Sequence, residues 1–383
     1  MEAIENFLSK RKEQGLLRYL RPVSFRKNSR VIIDNKEYFD FSSNDYLGLS
    51  GHPEIIESAK IALDAFGSGS GASRLMSGSF SLHHKLEEAT ADFKQKESAL
   101  VFNSGYQANI GIISALFGKG DCVFSDRLNH ASIIDGIILS GARMFRFRHN
   151  DIGHLKELLR KERKIFKNSL IITESVFSME GDTAPLKEIV ALKERYDCQI
   201  MLDEAHATGI YGENGSGLAE EDGVLDKVDL IMGTFSKALG GFGAYLASSK
   251  KITDYLINAC RSFIYSTALP PAVIASNLKA IELVKKEPWR RKELLEKAWF
   301  FRSALKEKGL DVRGSSQIVP LVIGKTQRTL EAARFLQEKG FYLLAVRYPT
   351  VPEKEARLRF SLSLYHDKET LERLINAILQ VGI

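Results

Sequence analysis

The chain has 383 residues, 44% of them hydrophobic and 27% charged, with 54 Lys and Arg against 48 Asp and Glu for a formal net charge of +6. That length and balance supply two or three domains' worth of chain with a large core, and exclude a natively disordered protein. No apolar run approaches the ~18 residues that a membrane-spanning helix needs, the longest candidates being broken by Gly118, Gly120 and Asp121.

The first stretch, Met1 to Arg21, alternates apolar and charged residues and has neither the unbroken apolar core nor the small-residue cleavage site of a secretory signal, so a cytoplasmic protein is expected. Residues 1–45 read as an N-terminal helix and strand segment. From residue 99 to 247 short apolar, β-branched runs recur: Ala99–Phe102, Asp121–Ser125, Ser169–Thr173, Gln199–Leu202, Asp229–Met232 and Ala244–Ala247. Between them lie segments of helical period, such as Ile152–Lys164 and Leu186–Tyr196. Alternation of this kind predicts a largely parallel sheet covered on both faces, in a large α/β domain over residues 46–287. Such a sheet binds ligands at the carboxyl ends of its strands.

The helix Ala272–Lys286, after Pro270-Pro271, reads as a junction. Beyond it, residues 288–383 predict a smaller α+β domain: a charged helix Arg290–Lys308, a strand Gln317–Ile323, a helix Thr329–Glu338, strands around Tyr342–Val346 and Ala356–Ser363, and a final helix. Cys122, Cys198 and Cys260 are odd in number and widely spaced, which predicts buried thiols rather than disulfides or a metal site. Basic residues mostly alternate with Glu on helices, so no nucleic-acid surface is expected.

The strongest chemical signal is a pair of motifs, Asp203-Glu204-Ala205-His206 and Thr234-Phe235-Ser236-Lys237-Ala238-Leu239-Gly240-Gly241, each directly after an expected strand. Both therefore reach one crevice. A carboxylate there keeps a heterocyclic nitrogen protonated, and a nearby lysine forms a Schiff base; together these are what pyridoxal phosphate requires. Asn103-Ser104-Gly105-Tyr106-Gln107-Ala108-Asn109 opens an apolar helix, where free backbone N–H groups at Ser104, Gly105 and Tyr106 attract phosphate. Asn129-His130, after Ser125-Asp126, offers an imidazole that can stack on a flat cofactor. Gly324-Lys325-Thr326 fails the Walker pattern because Val319 stands where its leading glycine belongs, and no GxGxxG, HExxH or GxSxG occurs.

These motifs, with Asn44-Asp45-Tyr46-Leu47-Gly48-Leu49, the Gly/Ser loop ending Ser73-Arg74-Leu75-Met76-Ser77-Gly78, Glu174-Ser175-Val176-Phe177-Ser178, Arg347-Tyr348-Pro349-Thr350-Val351-Pro352 and Arg357-Leu358-Arg359, resemble the α-oxoamine synthases, fold-type-I pyridoxal-phosphate enzymes. The match runs nearly end to end. It implies a mainly parallel central sheet sandwiched by helices, a smaller α+β C-terminal domain, and a homodimer with active sites at the subunit interface. By the same resemblance Lys237 would hold the cofactor, Asp203 would pair with its ring nitrogen, His206 would contact its ring hydroxyl and His130 would stack on the ring. Gly105, Tyr106, Ser178 and Thr234 would help to seat it. Arg359 and Asn44 would receive an amino-acid carboxylate, and Arg18 and Thr350 would face an acyl thioester. Length, the Gly/Ser loop and the Arg347–Pro352 block are most like the branch that condenses L-alanine with a pimeloyl thioester, on CoA or a carrier protein, in biotin biosynthesis. Tyr348 departs from that branch, which often has a second proline there, and resembles the glycine-using branches. The contrasting reading is a binding protein that kept this fold without its chemistry, and the joint presence of Lys237 and Asp203 speaks against it.

Overall fold

In the computed structural model, which describes residues 1–382, the chain divides into two units. The larger holds Asn44–Ser178 and Asp182–Glu293, and the smaller holds Met1–Ser43, Met179–Gly181 and Leu294–Ile383. The division thus falls inside the helix Trp289–Glu307.

The smaller unit begins with the helix Glu2–Glu13, followed by an antiparallel meander of β1 (Val23–Lys27), β2 (Arg30–Ile33) and β3 (Lys36–Asp40). Asp34 and Asn35 close the β2–β3 hairpin at φ of 51° and 60°, the left-handed geometry that a two-residue turn needs and that Asp and Asn tolerate.

The larger unit is built on β4 (Ser98–Phe102), β5 (Cys122–Asp126), β6 (Arg143–Phe147), β7 (Ser169–Glu174), β8 (Gln199–Asp203), β9 (Leu230–Thr234) and β10 (Ala244–Ser248). These lie in the order β4-β10-β9-β8-β7-β5-β6, with β10 antiparallel to both neighbours and every other pair parallel. The mainly parallel sheet expected from the sequence is therefore present. Strands β5, β7, β9 and β10 are buried along their whole length, as continuous apolar runs must be when helices cover both faces. On one face the helices Gly105–Leu116 and Ala131–Ser140 share a core with the sheet through residues such as Ile112, Ile133, Ile172 and Met201. Their close approach needs Gly136, where a Cβ would come within 3.0 Å of the Asn109 carbonyl. Edge strand β6 was not expected: its sequence, Arg-Met-Phe-Arg-Phe, is only partly buried and carries two arginines.

Four strands complete the smaller unit: β11 (Ile318–Gly324), β12 (Phe341–Tyr342), β13 (Ala345–Val346) and β14 (Ala356–Ser361). The stretch expected as strand around 342–346 serves two sheets, since β12 pairs in parallel with β3 while β13 pairs with β14 in the order β11-β14-β13. The N-terminal segment, set apart in the sequence reading, is thereby joined to C-terminal residues within one sheet. Arg357 on β14 is fully buried and paired with Glu180 at 3.0 Å and Glu355 at 2.8 Å. His366 is held neutral: Nδ1 accepts the Ser363 N–H at 3.1 Å, Nε2 donates to the Asp40 carbonyl at 3.1 Å, and burial pushes its pKa down to about 3.

Candidate active site

Parallel strands end on the same side of their sheet, and the larger unit's chemistry collects there. Register places Glu174, last of β7, beside Asp203, last of β8, and Asp203 in turn opposite Met232 of β9. A cavity of about 200 Å³ opens over these ends. It is lined by Gly105, Tyr106, His130, Asp203, His206, Thr234 and Lys237, drawn from four separate stretches of sequence.

Asp203 is 5% exposed. Its Oδ1 accepts the backbone N–H of Ala205 at 2.9 Å, and its Oδ2 accepts from Asn109 Nδ2 at 3.0 Å. Asn109 also donates to Ser132 Oγ at 2.9 Å, while its own Oδ1 is buried without a hydrogen-bond partner. The carboxylate is therefore fixed by neutral donors, which orient it without cancelling its charge.

His130 caps the helix Ala131–Ser140: its Nδ1 accepts the Ser132 N–H at 3.3 Å. Burial holds its pKa below the ordinary value, against the pull of the Asp203 carboxylate and with help from the Lys237 ammonium. A neutral imidazole beside the cavity offers a flat, uncharged face for stacking. His206 Nδ1 lies 2.8 Å from Tyr46 OH, which donates its proton to Asn44 Oδ1 at 3.0 Å. The His206 Nδ1–H is then the donor, and in the neutral ring Nε2 is left as an acceptor.

At the other side, Ser104 caps the helix Gly105–Leu116 by accepting the Gln107 N–H at 3.2 Å. A Cβ at Gly105 would meet no atom nearer than Met232 Cε at 4.0 Å, so glycine here leaves room for a ligand rather than for a protein neighbour. The Tyr106 hydroxyl donates to Asp135. Thr234 Oγ1 donates to the Gly243 carbonyl at 2.8 Å and accepts the Ser236 N–H at 3.1 Å, drawing the turn tight just before Lys237. An acid, an amine, a neutral imidazole and a helix N-terminus around one small cavity suit pyridoxal 5'-phosphate, whose ring nitrogen, aldehyde, flat ring and phosphate call for those groups in turn.

Ser178 and Asn44 do not line the cavity; Asn44 is linked to it through Tyr46 and His206. Arg18, Thr350 and Arg359 belong to the smaller unit, where Arg18 reaches Thr350 Oγ1 at 3.4 Å and Arg359 donates to Ser361 Oγ at 2.6 Å. Six lining residues were given no role of their own from sequence: Asn109, Ser132, Glu174, Ala205, Met232 and Ser236. Glu174 was legible in principle, being the residue at which a buried run ends beside Asp203.

The family description "aminotransferase class I and II" matches residues 36–378. The chain belongs to that family. Among curated proteins, it is 49% identical over 383 residues to 8-amino-7-oxononanoate synthase of Geobacter sulfurreducens, covering 99% of this chain and 98% of the other. It is 47% identical over 385 residues to the protein of that name from Geotalea daltonii, covering 100% and 98%. Among solved structures, Sphingomonas wittichii serine palmitoyltransferase superposes with a TM-score of 0.94 at 32% identity, covering 99% of this chain and 97% of that one. An 8-amino-7-oxononanoate synthase from Francisella tularensis gives 0.79 at 29% identity, covering 90% and 97%. A serine palmitoyltransferase from S. paucimobilis, solved with bound PLP-myriocin aldimine, gives 0.94 at 31% identity over 99% of this chain and 96% of that one. The resemblance to α-oxoamine synthases read from the motifs thus agrees with both sequence and structural relatives.

Proposed function

We propose that this family member is a pyridoxal-phosphate-dependent acyltransferase that condenses L-alanine with a pimeloyl thioester, releasing CO2 and the thiol to give 8-amino-7-oxononanoate. The observation that carries the reading is the single cavity into which Lys237, Asp203, His130 and His206 converge, in a chain 49% identical to a synthase of that name. When bound, the cofactor supplies an electron sink that stabilises negative charge at the amino acid's α-carbon.

The chain's own residues do the rest. Asp203, held by Asn109 and the Ala205 N–H, keeps its negative charge toward the ring nitrogen and favours the protonated ring. Lys237 Nζ holds the cofactor between turnovers and takes the proton from the substrate α-carbon. His130 would cover the ring face, His206 would bond its hydroxyl, and Gly105, Tyr106 and Thr234, which line the cavity, would seat its periphery; Ser178, which does not line it, joins them by the resemblance alone. Arg359 and Asn44 receive the amino-acid carboxylate, and Arg18 and Thr350 the thioester, as the resemblance implies. The enzyme acts as a homodimer with active sites at the subunit interface, in the cytoplasm; among the described residues no helix is long and apolar enough to cross a membrane.

Tyr348, 48% exposed in the Arg347–Pro352 block, favours one second reading, a glycine-using relative with a different acyl-CoA. Product mass after incubation with both amino acids and both thioesters separates the two. Alanine with pimeloyl-CoA is expected to turn over far faster than glycine with acetyl-CoA, and the reverse preference reassigns the branch. Borohydride reduction followed by peptide mapping is expected to fix the cofactor on Lys237; attachment elsewhere overturns the assignment.

A further inference from the structure

Behind the cavity lies an ion pair that the proposed reaction does not use. Lys94, the residue after the helix Ser81–Phe93, and Glu204, the residue after Asp203, are both fully buried. Lys94 Nζ donates to Glu204 Oε2 at 2.6 Å, to Thr208 Oγ1 at 3.2 Å and to the Ser216 carbonyl. All three ammonium protons are thereby committed. Glu204 Oε1 accepts the Ala219 N–H at 2.9 Å, its backbone N–H donates to the Met232 carbonyl at 2.7 Å, and Thr208 Oγ1 bonds Tyr245 OH at 2.9 Å. Packing around the pair leaves no slack: a Cβ at Gly217 (φ 146°) would lie 2.0 Å from Glu204 Oε2. Burial opposes the charge on Lys94, yet the Glu204 carboxylate outweighs it and lifts the pKa, so Lys94 keeps its proton.

A buried ion pair contributes little net stability compared with an apolar pair of the same volume, so its value here has to be directional. Its three anchors all lie in the segment that follows Asp203. Glu204 sits between Asp203 and His206, and its carbonyl accepts the N–H groups of Ala207 at 3.0 Å and Thr208 at 2.9 Å, making one rigid turn.

We propose that Lys94 is a positioning residue: by clamping Glu204, Thr208 and the Ser216 carbonyl it fixes the turn that presents Asp203 and His206 to the cofactor. This rests on the cofactor reading given under Proposed function. The test compares wild type, Lys94→Met and the double variant Lys94→Met/Glu204→Gln for pyridoxal phosphate dissociation constant, thermal midpoint without cofactor, and the pH titration of the visible band. Lys94→Met is expected to lower the midpoint, because Glu204 is left charged and unpaired, and to weaken cofactor binding roughly 10- to 100-fold, as small misplacements of site groups do. The double variant restores charge balance and is expected to regain most of the midpoint while its cofactor affinity stays weak and the band's titration stays shifted. A merely structural role would restore affinity together with the midpoint, and affinity within about twofold of wild type in the folded double variant overturns the proposal. If Lys94→Met does not fold, the double variant alone decides; a double variant that also fails to fold counts against the proposal, since a charge-balanced core of the same volume should hold. Wild type that takes up no pyridoxal phosphate would sink the cofactor reading itself, an outcome distinct from equal affinities across the series.

Discussion

The two units use buried charge for different ends. In the larger one Asp203 is 5% exposed, bonded only to neutral donors and turned to a cavity, so its charge is available to a ligand. In the smaller one Arg357 is just as buried but spent on Glu180 and Glu355, and its field is cancelled within the protein. Burial alone therefore says nothing about function. What marks a working group is a charge whose partners leave it uncompensated beside open space.

That contrast predicts where substitutions act. The largest effect is expected at Lys237: Lys237→Ala should lose about 10⁴-fold or more in kcat, since holding group and base are one side chain, while the folded protein keeps its thermal midpoint within a few degrees. Turnover near the wild-type rate would remove Lys237 from the chemistry. Asp203→Asn comes next. The amide keeps the shape but cannot hold a positive ring nitrogen, so kcat should fall roughly 10²- to 10³-fold, and the visible band should titrate differently. Arg357→Met tests the other half of the comparison: it leaves Glu180 and Glu355 without their shared cation, so stability should fall with kcat little changed in protein that remains folded. A kcat loss as deep as that of Asp203→Asn would erase the distinction between the two kinds of buried charge.

A smaller effect, and of another type, is expected at Arg359. A guanidinium that binds a carboxylate in ground and transition states alike should raise KM for the amino acid about 10- to 100-fold on Arg359→Ala, with kcat moving far less. An unchanged KM would remove Arg359 from recognition of the amino-acid carboxylate.

How much of this was readable beforehand follows the same physics. Asp203 and Thr234 were legible because each terminates a buried run, with Lys237 in the turn directly after Thr234, and parallel topology brings such ends together however far apart they lie in sequence. Asn109 closes the motif that opens its helix, yet its part in orienting Asp203 was not legible, because one turn into an apolar helix nothing local distinguishes a polar side chain that faces a ligand from one that faces solvent. Ser132 and Ser236 are equally silent, since a hydroxyl's role depends on the partner that folding brings within 3 Å. The strands read around Tyr342–Val346 are present, but their division between two sheets was not legible, for a different reason. Their strand propensity is real, but the allocation of β12 to β3 and of β13 to β14 is decided by pairing partners some three hundred residues away in one case and about a dozen in the other.

Two histidines sharpen the comparison at its most modest scale. His149 in the larger unit bridges Asp126 at 3.1 Å and Asp182 at 2.9 Å; burial disfavours its charge, but the two carboxylates win and raise its pKa from 6.5 to about 10. Asp126 in turn accepts the Leu128 N–H at 2.8 Å, two residues before His130, so the bridge braces the loop behind the cavity. A folded pKa above the unfolded one means that the folded state binds more protons between pH 6.5 and about 10, so the contribution is complete below 6.5 and is lost as pH rises through 10. His366 in the smaller unit has the opposite sign: its pKa of about 3 lets the unfolded chain bind the extra proton, and stability falls as pH drops below 6.5. His149→Gln should therefore lower the thermal midpoint by a few degrees at pH 6, and the gap to wild type should close toward pH 10. His366→Gln, which removes the acid-sensitive group, should instead flatten the loss of stability on the acid side. Parallel pH profiles for wild type and His149→Gln would show that the imidazole is neutral in the folded protein and that the two carboxylates do not hold its proton.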